Sequence, residues 1–294
     1  MLSALLKPEY LFRPRQLLRR LAGRARSGFV DVTLPWGRSI RVSADDHVGG
    51  QIATLGLYDL VVTETLWRLC DRDEMAIDIG ANIGYTTFVM AQRIGGGSIH
   101  SFEPHPLLYR ELCDNIASLQ SQGCSADLQT YPVALGPAAG SLPLHVPKDF
   151  AHHRGESSLA APTHLEYADQ TVVVPVQTLD QVLGDQEAVG VIKIDVEGYE
   201  SEVLRGAEQV FGSHRVRDCV FEEHLLYPTV VTNWLEARGY QVFRLDRSFW
   251  GLRLLAPDSP LPRTAWTATN FVATIDPVRL RSRLGRSGWQ CLRG

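Results

Sequence analysis

An acid, two glycines and an asparagine fall within seven residues, Asp78-Ile-Gly80-Ala-Asn82-Ile-Gly84, after the apolar run Met75 to Ile77 and before Tyr85-Thr-Thr-Phe-Val-Met-Ala91. The order reads as a strand, a tight turn and the opening of a helix. A turn packed beneath a ligand needs residues without bulk, which Gly80 and Gly84 supply, and the helix N-terminus beyond it offers backbone N–H groups to an anion. A dinucleotide fingerprint places further glycines where the backbone approaches a pyrophosphate. Asn82 and Tyr85 stand at those places here.

The acidic-x-Gly-x-x-x-Gly spacing instead resembles the turn of S-adenosylmethionine enzymes. A second apolar run, Ser98-Ile-His-Ser-Phe102, then delivers Glu103-Pro104. An acid at the tip of a second strand suits a ribose diol, because one carboxylate accepts from both hydroxyls.

These residues need a scaffold, and the pattern beyond them supplies one. Pro106 to Ser118 carries a helical stripe of Leu107, Leu108, Leu112 and Ile116. Asp127 to Leu135 reads as a third strand and Val191-Ile-Lys-Ile-Asp195 as a fourth, followed by a helix with Val203, Leu204, Ala207, Val210 and Phe211 on one face. Asp218 to Glu222 is a fifth strand, Thr229 to Arg238 a helix stopped by Gly239, Tyr240 to Leu245 a sixth strand and Thr269 to Thr274 a seventh. Such alternation predicts an α/β fold, a mainly parallel sheet with helices on both faces and ligands at the carboxyl ends of the strands. Asp78, Glu103, Asp195 and Glu222 all fall at such ends. Between the third and fourth strands the rhythm breaks. Gly136 to Pro147 and Thr171 to Val176 suit an antiparallel extension, and the irregular piece between them, with His152, His153, Arg154, Gly155, Ser157 and Ser158, has the composition of a lid.

With 294 residues, 45% hydrophobic and 21% charged, the chain has the composition of a globular protein with a substantial core. Its five cysteines lack disulfide or metal spacing, which points to a reducing compartment, and no run approaches membrane-spanning length. A cytoplasmic protein is expected. The net charge of -4 conceals basic ends on an acidic body: residues 1 to 28 hold seven basic groups against Glu9, and residues 277 to 294 hold five Arg and no acid. Leu11 to Ala25 reads as a basic amphipathic helix, suited to packing on the domain or a partner subunit, or to weak peripheral contact with an anionic membrane. A homo-oligomer is compatible with it; a nucleic-acid partner is not expected.

The stretch Val191-Ile-Lys-Ile-Asp-Val-Glu-Gly-Tyr-Glu-Ser-Glu-Val-Leu-Arg-Gly-Ala207 names a family. With Asp78 to Tyr85, Phe102-Glu103-Pro104, Val176-Gln-Thr-Leu-Asp180 and Phe221-Glu222, it resembles the FkbM family of S-adenosylmethionine-dependent methyltransferases, over roughly Tyr58 to Thr274. The resemblance implies a class I methyltransferase (Rossmann-like) sheet of seven strands, six parallel and the last antiparallel, and transfer of a methyl group most often to a hydroxyl oxygen. It implies that Asp78, Gly80, Ala81, Asn82 and Gly84 hold the methionine end of the donor, Glu103 and Pro104 the ribose, and Val133 and Ala134 the adenine. Pro132 replaces the family's usual Asn before that pair, and Tyr58-Asp59 takes the place of a Tyr-Glu pair. The domain expected is 58–276, with a lid-like insertion around 136–176, a basic helical and β extension over 1–57 and a basic tail over 277–294.

Methyl transfer to an alcohol needs the acceptor oxygen held on the methyl axis and its proton removed. Asp195 and Glu197 follow the fourth strand and Glu222, Glu223 and His224 the fifth. Asp195 with Glu222 suits a divalent cation; alternatively Asp195 or His224 is a direct base, or His152 and His153 arrive with the lid. Glu197 and Glu200 also suit a role that merely offsets the dipole of the following helix, and Lys193, in an otherwise apolar strand, reads as a paired structural group. The acceptor expected is a small hydroxylated molecule such as a sugar, glycolipid or polyketide, with Trp250, Arg253, Trp266 and the loop around His152 as candidate contacts. A nicotinamide-dependent oxidoreductase on the same layers, and a binding module that keeps the cofactor without turnover, are the competing classes.

Overall fold

A strand buried on both faces must be apolar throughout, and the Met75–Ile79 run is wholly buried. It is the centre of the computed structural model, which describes residues 27–160, 171–184, 188–260 and 269–293. In chain order come β1 (Phe29–Thr33), β2 (Ser39–Ser43), α1 (His47–Leu55), α2 (Leu60–Leu69), β3 (Met75–Ile79), α3 (Tyr85–Ala91), β4 (Ser98–Phe102), α4 (Pro106–Ser121) and β5 (Asp127–Tyr131). Then follow β6 (Ala134–Leu135), β7 (Gly140–His145), β8 (Thr171–Gln177), α5 (Leu179–Leu183), β9 (Val189–Ile194), α6 (Glu200–Arg205), α7 (Glu208–Gly212) and β10 (Val216–Glu223). The last elements are α8 (Val230–Glu236), β11 (Gln241–Ser248), β12 (Gly251–Leu255), β13 (Thr269–Thr274) and α9 (Pro277–Leu284).

The main sheet has the order β12-β11-β13-β10-β9-β3-β4-β5. Six strands run in one direction and β13 lies antiparallel between β10 and β11, as expected. The eighth strand, β12, was not anticipated. It hairpins back on β11, with Arg253 opposite Asp246, so Arg253 is drawn into a cross-strand ion pair at 3.7 Å. Trp250 sits exposed at the hairpin tip against Phe249. Trp266 lies outside the described residues.

Alternate side chains feed two cores. Val191, Val220 and Val272 face the layer of α2, α3 and α9, whereas Ile192, Phe221 and Phe271 face that of α6, α7 and α8. The third strand ends earlier than expected. Pro132 has no N–H to continue the ladder, so β5 stops at Tyr131, and β6 joins a separate sheet of order β6-β8-β7. In that sheet β7 and β8 form the anticipated antiparallel pair.

The single helix expected after β9 is two. Gly206 divides α6 from α7 where its backbone presses on that of Gly136: a Cβ at Gly206 would stand 1.9 Å from the Gly136 carbonyl oxygen. Backbone, not a flexible side chain, would have to move. Gly206→Ala is therefore expected to destabilise the protein by about 1–3 kcal/mol, read as a lowered urea midpoint.

Residues 277–293, expected as a basic tail, pack into the core. Leu280, Leu284, Trp289, Cys291 and Leu292 are buried against α2, and Arg279 and Arg283 pair with Asp71 at 2.7 and 2.6 Å. The fully buried Glu64 accepts from the backbone N–H groups of Gln290 and Cys291, and Arg68 beside it donates to the carbonyls of Arg286 and Gly288. On the other side, the β1–β2 hairpin is fastened to α4 by Asn115, which bonds both the N–H and the carbonyl of Arg41. The basic helix expected over Leu11 to Ala25 lies outside the described residues. Among the described residues no helix is long and apolar enough to cross a membrane.

Candidate active site

The turn after β3 is built from left-handed residues: Gly80 at φ +72°, Asn82 at +50° and Gly84 at +91°. At Gly80 a Cβ would lie 1.9 Å from the Asp195 carbonyl oxygen, so the turn and the end of β9 touch only because Gly80 has no side chain. Asn82 is the non-glycine residue type that tolerates such a backbone. Its neighbours leave the turn poorly suited to phosphate. The N–H groups of Gly80 and Ala81 donate to the Phe102 carbonyl, that of Asn82 to Glu103 Oε2 and that of Gly84 to the Ala81 carbonyl. The free donors expected of an anion cradle are thus spent within the protein at these four positions, which counts against a pyrophosphate here.

Asp78 lies beneath the turn. Its Oδ2 accepts from the hydroxyls of Thr86 and Thr87 at 2.6 and 2.7 Å, and its Oδ1 faces the Lys193 ammonium at 3.4 Å. Lys193 donates to the Gly80 carbonyl at 2.7 Å and stands 3.5 Å from Asp195 Oδ2. Burial pulls its pKa down, but the Asp195 and Asp78 carboxylates outweigh that and hold it above the ordinary lysine value. Lys193 is therefore the paired group its sequence setting suggests, and it joins the donor turn to Asp195. Gly84 also lies below the cavity, with α4 packed so close that a Cβ would meet Leu112 Cδ1 at 2.8 Å.

Above them opens a cleft lined by Tyr58, Gly80, Ala81, Asn82, Glu103, Pro104, Val133, Ala134 and Asp195. Nine positions singled out in the sequence thus share one cavity. Glu103 is held from two sides, its Oε2 by the Asn82 N–H at 2.9 Å and its Oε1 by the His105 N–H at 2.8 Å. Burial outweighs these bonds and pushes it up to about 7. Asp59 does not reach the cleft. It caps α2 through the N–H groups of Val61 and Val62 and accepts from Asn270 Nδ2 at 2.9 Å.

Of the acids beyond β9 and β10, Asp195 and Glu197 line the cleft, whereas Glu222 and His224 stand beside them outside its lining. Carboxylate oxygens of Asp195, Glu197 and Glu222 lie within 4.8 Å of one another, a spacing that would accept a divalent cation or share a proton. Burial, then the Asp195 and Glu197 carboxylates, push Glu222 up to about 9. His224 is 3.6 Å from Glu197, whose hydrogen bond raises it to about 9. Glu222 thus keeps its proton at neutral pH while His224 is charged. Burial and then Asp195 push the Tyr58 phenol up as well, so that it remains a neutral donor.

Two expectations need revision. Glu197, weighed as merely offsetting the helix dipole, belongs to the acid cluster, on a left-handed backbone at φ +53°; Glu200 Oε1 accepts from the N–H groups of Val196 and Gly198 in the loop before α6, whose N-cap Tyr199 makes no side-chain cap bond. His152 and His153 do not enter the cleft. Both are exposed and paired locally with Asp149 and Glu156. From that insertion it is Arg154, Gly155, Ser157 and Leu159 that line the cleft. Spacing carried no sign of this, because the segment is irregular.

The described residues contain four buried side-chain polar atoms without a hydrogen-bond partner among them, and three are Asp78 Oδ1, Asn82 Oδ1 and Ser157 Oγ. Asp78 Oδ1 beneath the cleft faces the Lys193 ammonium, but Asn82 and Ser157 line the cleft, so their unmet hydrogen-bonding capacity stands where a polar ligand would sit.

Residues 78–242 match the methyltransferase FkbM domain. The chain is 29% identical over 246 residues to methyltransferase sdnD of Sordaria araneosa, covering 69% of this chain and 85% of that protein. It is 29% identical over 154 residues to methyltransferase 1 of Beauveria bassiana, covering 46% and 59%. The crystal structure of methyltransferase FkbM from Methylobacillus flagellatus aligns at a TM-score of 0.43 and 16% identity, over 68% of this chain and 43% of that one. With more than half of its length matched by that domain, from the turn beneath the cleft to β11, this chain belongs to the FkbM family of methyltransferases.

Proposed function

We propose that the protein transfers a methyl group from S-adenosylmethionine to a hydroxyl oxygen of a small acceptor such as a sugar, glycolipid or polyketide. The observation that carries this reading is the single cleft with Glu103 at one end and Asp195 at the other, the latter backed by Glu197 and Glu222. Glu103 has its lower edge fixed by Asn82 and His105, so its remaining lone pairs face the cleft and suit a ribose diol. The Gly80 to Asn82 turn takes the amino-acid end and Val133 with Ala134 the adenine.

When bound, S-adenosylmethionine supplies a methyl on a cationic sulfur, which departs as a neutral thioether. Asp195 accepts the acceptor's hydroxyl proton as the oxygen–carbon bond forms, and the carbon–sulfur pair stays with sulfur. Neutral Tyr58 orients the oxygen without competing for that proton, protonated Glu222 stands behind Asp195, and Lys193 lies 3.5 Å from the Asp195 carboxylate. Most of the acceleration comes from such alignment. A second reading, favoured by the close approach of the three carboxylates, places a divalent cation among Asp195, Glu197 and Glu222. The scattered free cysteines favour a cytoplasmic setting.

Titration calorimetry with S-adenosylhomocysteine, followed by transfer of labelled methyl into a small-molecule extract of the host, tests the proposal. Binding in the micromolar range and labelled product are expected. Absence of binding overturns the donor assignment, and binding without product in any extract favours a non-catalytic module. Transfer that persists in EDTA excludes the cation.

A further inference from the structure

The insertion between β7 and β8 contributes polar groups to the cleft that the family match does not explain. Its short 3-10 turn, Arg154–Glu156, is docked on one side of the cleft. The Arg154 side chain is buried and forks onto the Glu111 carboxylate of α4, its N–H donates to Asp46 Oδ1 at 3.1 Å, and the His152 carbonyl accepts from the His47 N–H at 3.0 Å. Two residues after the turn, the segment is docked on the opposite side. Ser158 bridges to His145 of β7, and its hydroxyl donates to the Glu197 carbonyl at 2.6 Å. Between the two anchors, Gly155 passes the donor turn so closely that a Cβ would stand 3.1 Å from Asn82 Nδ2.

Ser157 therefore belongs to a strap that is fixed at both ends and crosses from the donor turn to the acid cluster. Its Oγ is buried, lines the cleft and has no hydrogen-bond partner among the described residues, as is true of Asn82 Oδ1 beside Gly155. A buried hydroxyl without a partner is costly unless a ligand completes it. Resting on the donor assignment above, we infer that Ser157 is a donor-binding residue that contacts the amino-acid end of the methyl donor, and that Ser158 is a positioning residue that fastens the strap to Glu197. The amino-acid end is the polar part of the donor that reaches the Asn82 turn, and a hydroxyl complements either its ammonium or its carboxylate. One strap thereby touches the donor and sets the backbone that carries an acid of the acceptor side.

Calorimetry on the full chain separates the outcomes, with S-adenosylhomocysteine and adenosine as probes. Ser157→Ala is expected to weaken S-adenosylhomocysteine by about two- to tenfold, the loss of one hydrogen bond, and to leave adenosine unchanged because adenosine lacks the amino-acid end. Ser158→Ala should weaken S-adenosylhomocysteine similarly, and Ser158→Thr, which keeps the hydroxyl, should restore it. Urea midpoints of the Ser157 variant and wild type should agree, which excludes misfolding as the cause. Unchanged affinity in Ser157→Ala, or equal weakening of both probes, overturns the assignment of Ser157; unchanged affinity in Ser158→Ala overturns that of Ser158. Failure of the wild type to bind either probe would instead overturn the donor assignment itself.

Discussion

Asp195→Asn is expected to lower methyl transfer by about 10²–10⁴-fold while S-adenosylhomocysteine affinity stays within about threefold of wild type. The substitution keeps shape and removes the carboxylate's charge together with its capacity to take a proton. Lys193 retains the Gly80 carbonyl and Asp78, so the donor turn keeps its support. Single-turnover transfer of labelled methyl and calorimetry on the same preparation provide the two readings. Wild-type transfer would remove Asp195 from the chemistry, and a parallel fall in both readings would move it to the donor side.

Glu103→Gln is expected to weaken S-adenosylhomocysteine by about a hundredfold or more, because hydrogen bonds to a charged acceptor contribute about 1.5–3 kcal/mol each and two ribose hydroxyls lose theirs. The pH dependence identifies the group. Burial pushes Glu103 from the usual carboxylate range up to about 7, so in the free protein it gains its charge as pH rises through that value. The ribose donates to the ionised form, so wild-type affinity should tighten between about pH 6 and 8 and then level, a rise the Gln variant should lack. Stability should move the other way. The folded state holds this proton more tightly than the unfolded chain, so Glu103 favours folding most below its unfolded pKa, and that contribution is lost as pH rises to about 7.

Much of this was legible because the donor half of the site is local. Asp78, Gly80, Asn82 and Gly84 fall in one turn, and Glu103 is 21 residues from Asn82, with which it bonds. Alternating apolar strands and helical stripes fixed the layer order, and Pro132 marked the place where the third strand ends. What escaped depends on contacts between distant residues. Ser158 meets Glu197 across 39 positions and Arg279 meets Asp71 across 208, and neither pairing has a period or spacing to reveal it. Glu197 was hidden for another reason: an acid near a helix start offsets the helix dipole equally well, and spacing does not reveal that this one, on a left-handed backbone, joins Asp195 and Glu222. Likewise Gly206 looked like one residue within a helical stripe, although its contact with Gly136 divides that stripe in two.

The burial of Trp289, Cys291 and Leu292 against α2 bears on the order in which the molecule can assemble. During synthesis the layer of α6, α7 and α8 is complete once β13, which brings Phe271 and Ala273 to it, has emerged. The opposite layer must wait. Glu64 and Arg68 pair with each other at 2.5 Å, but their backbone partners arrive only with Arg286 to Cys291, and α2 begins one residue after Asp59 and two after Tyr58 of the cleft. The helix that follows Tyr58 of the cleft thus gains its full set of buried partners only from the segment Arg286 to Cys291, after the other layer has formed.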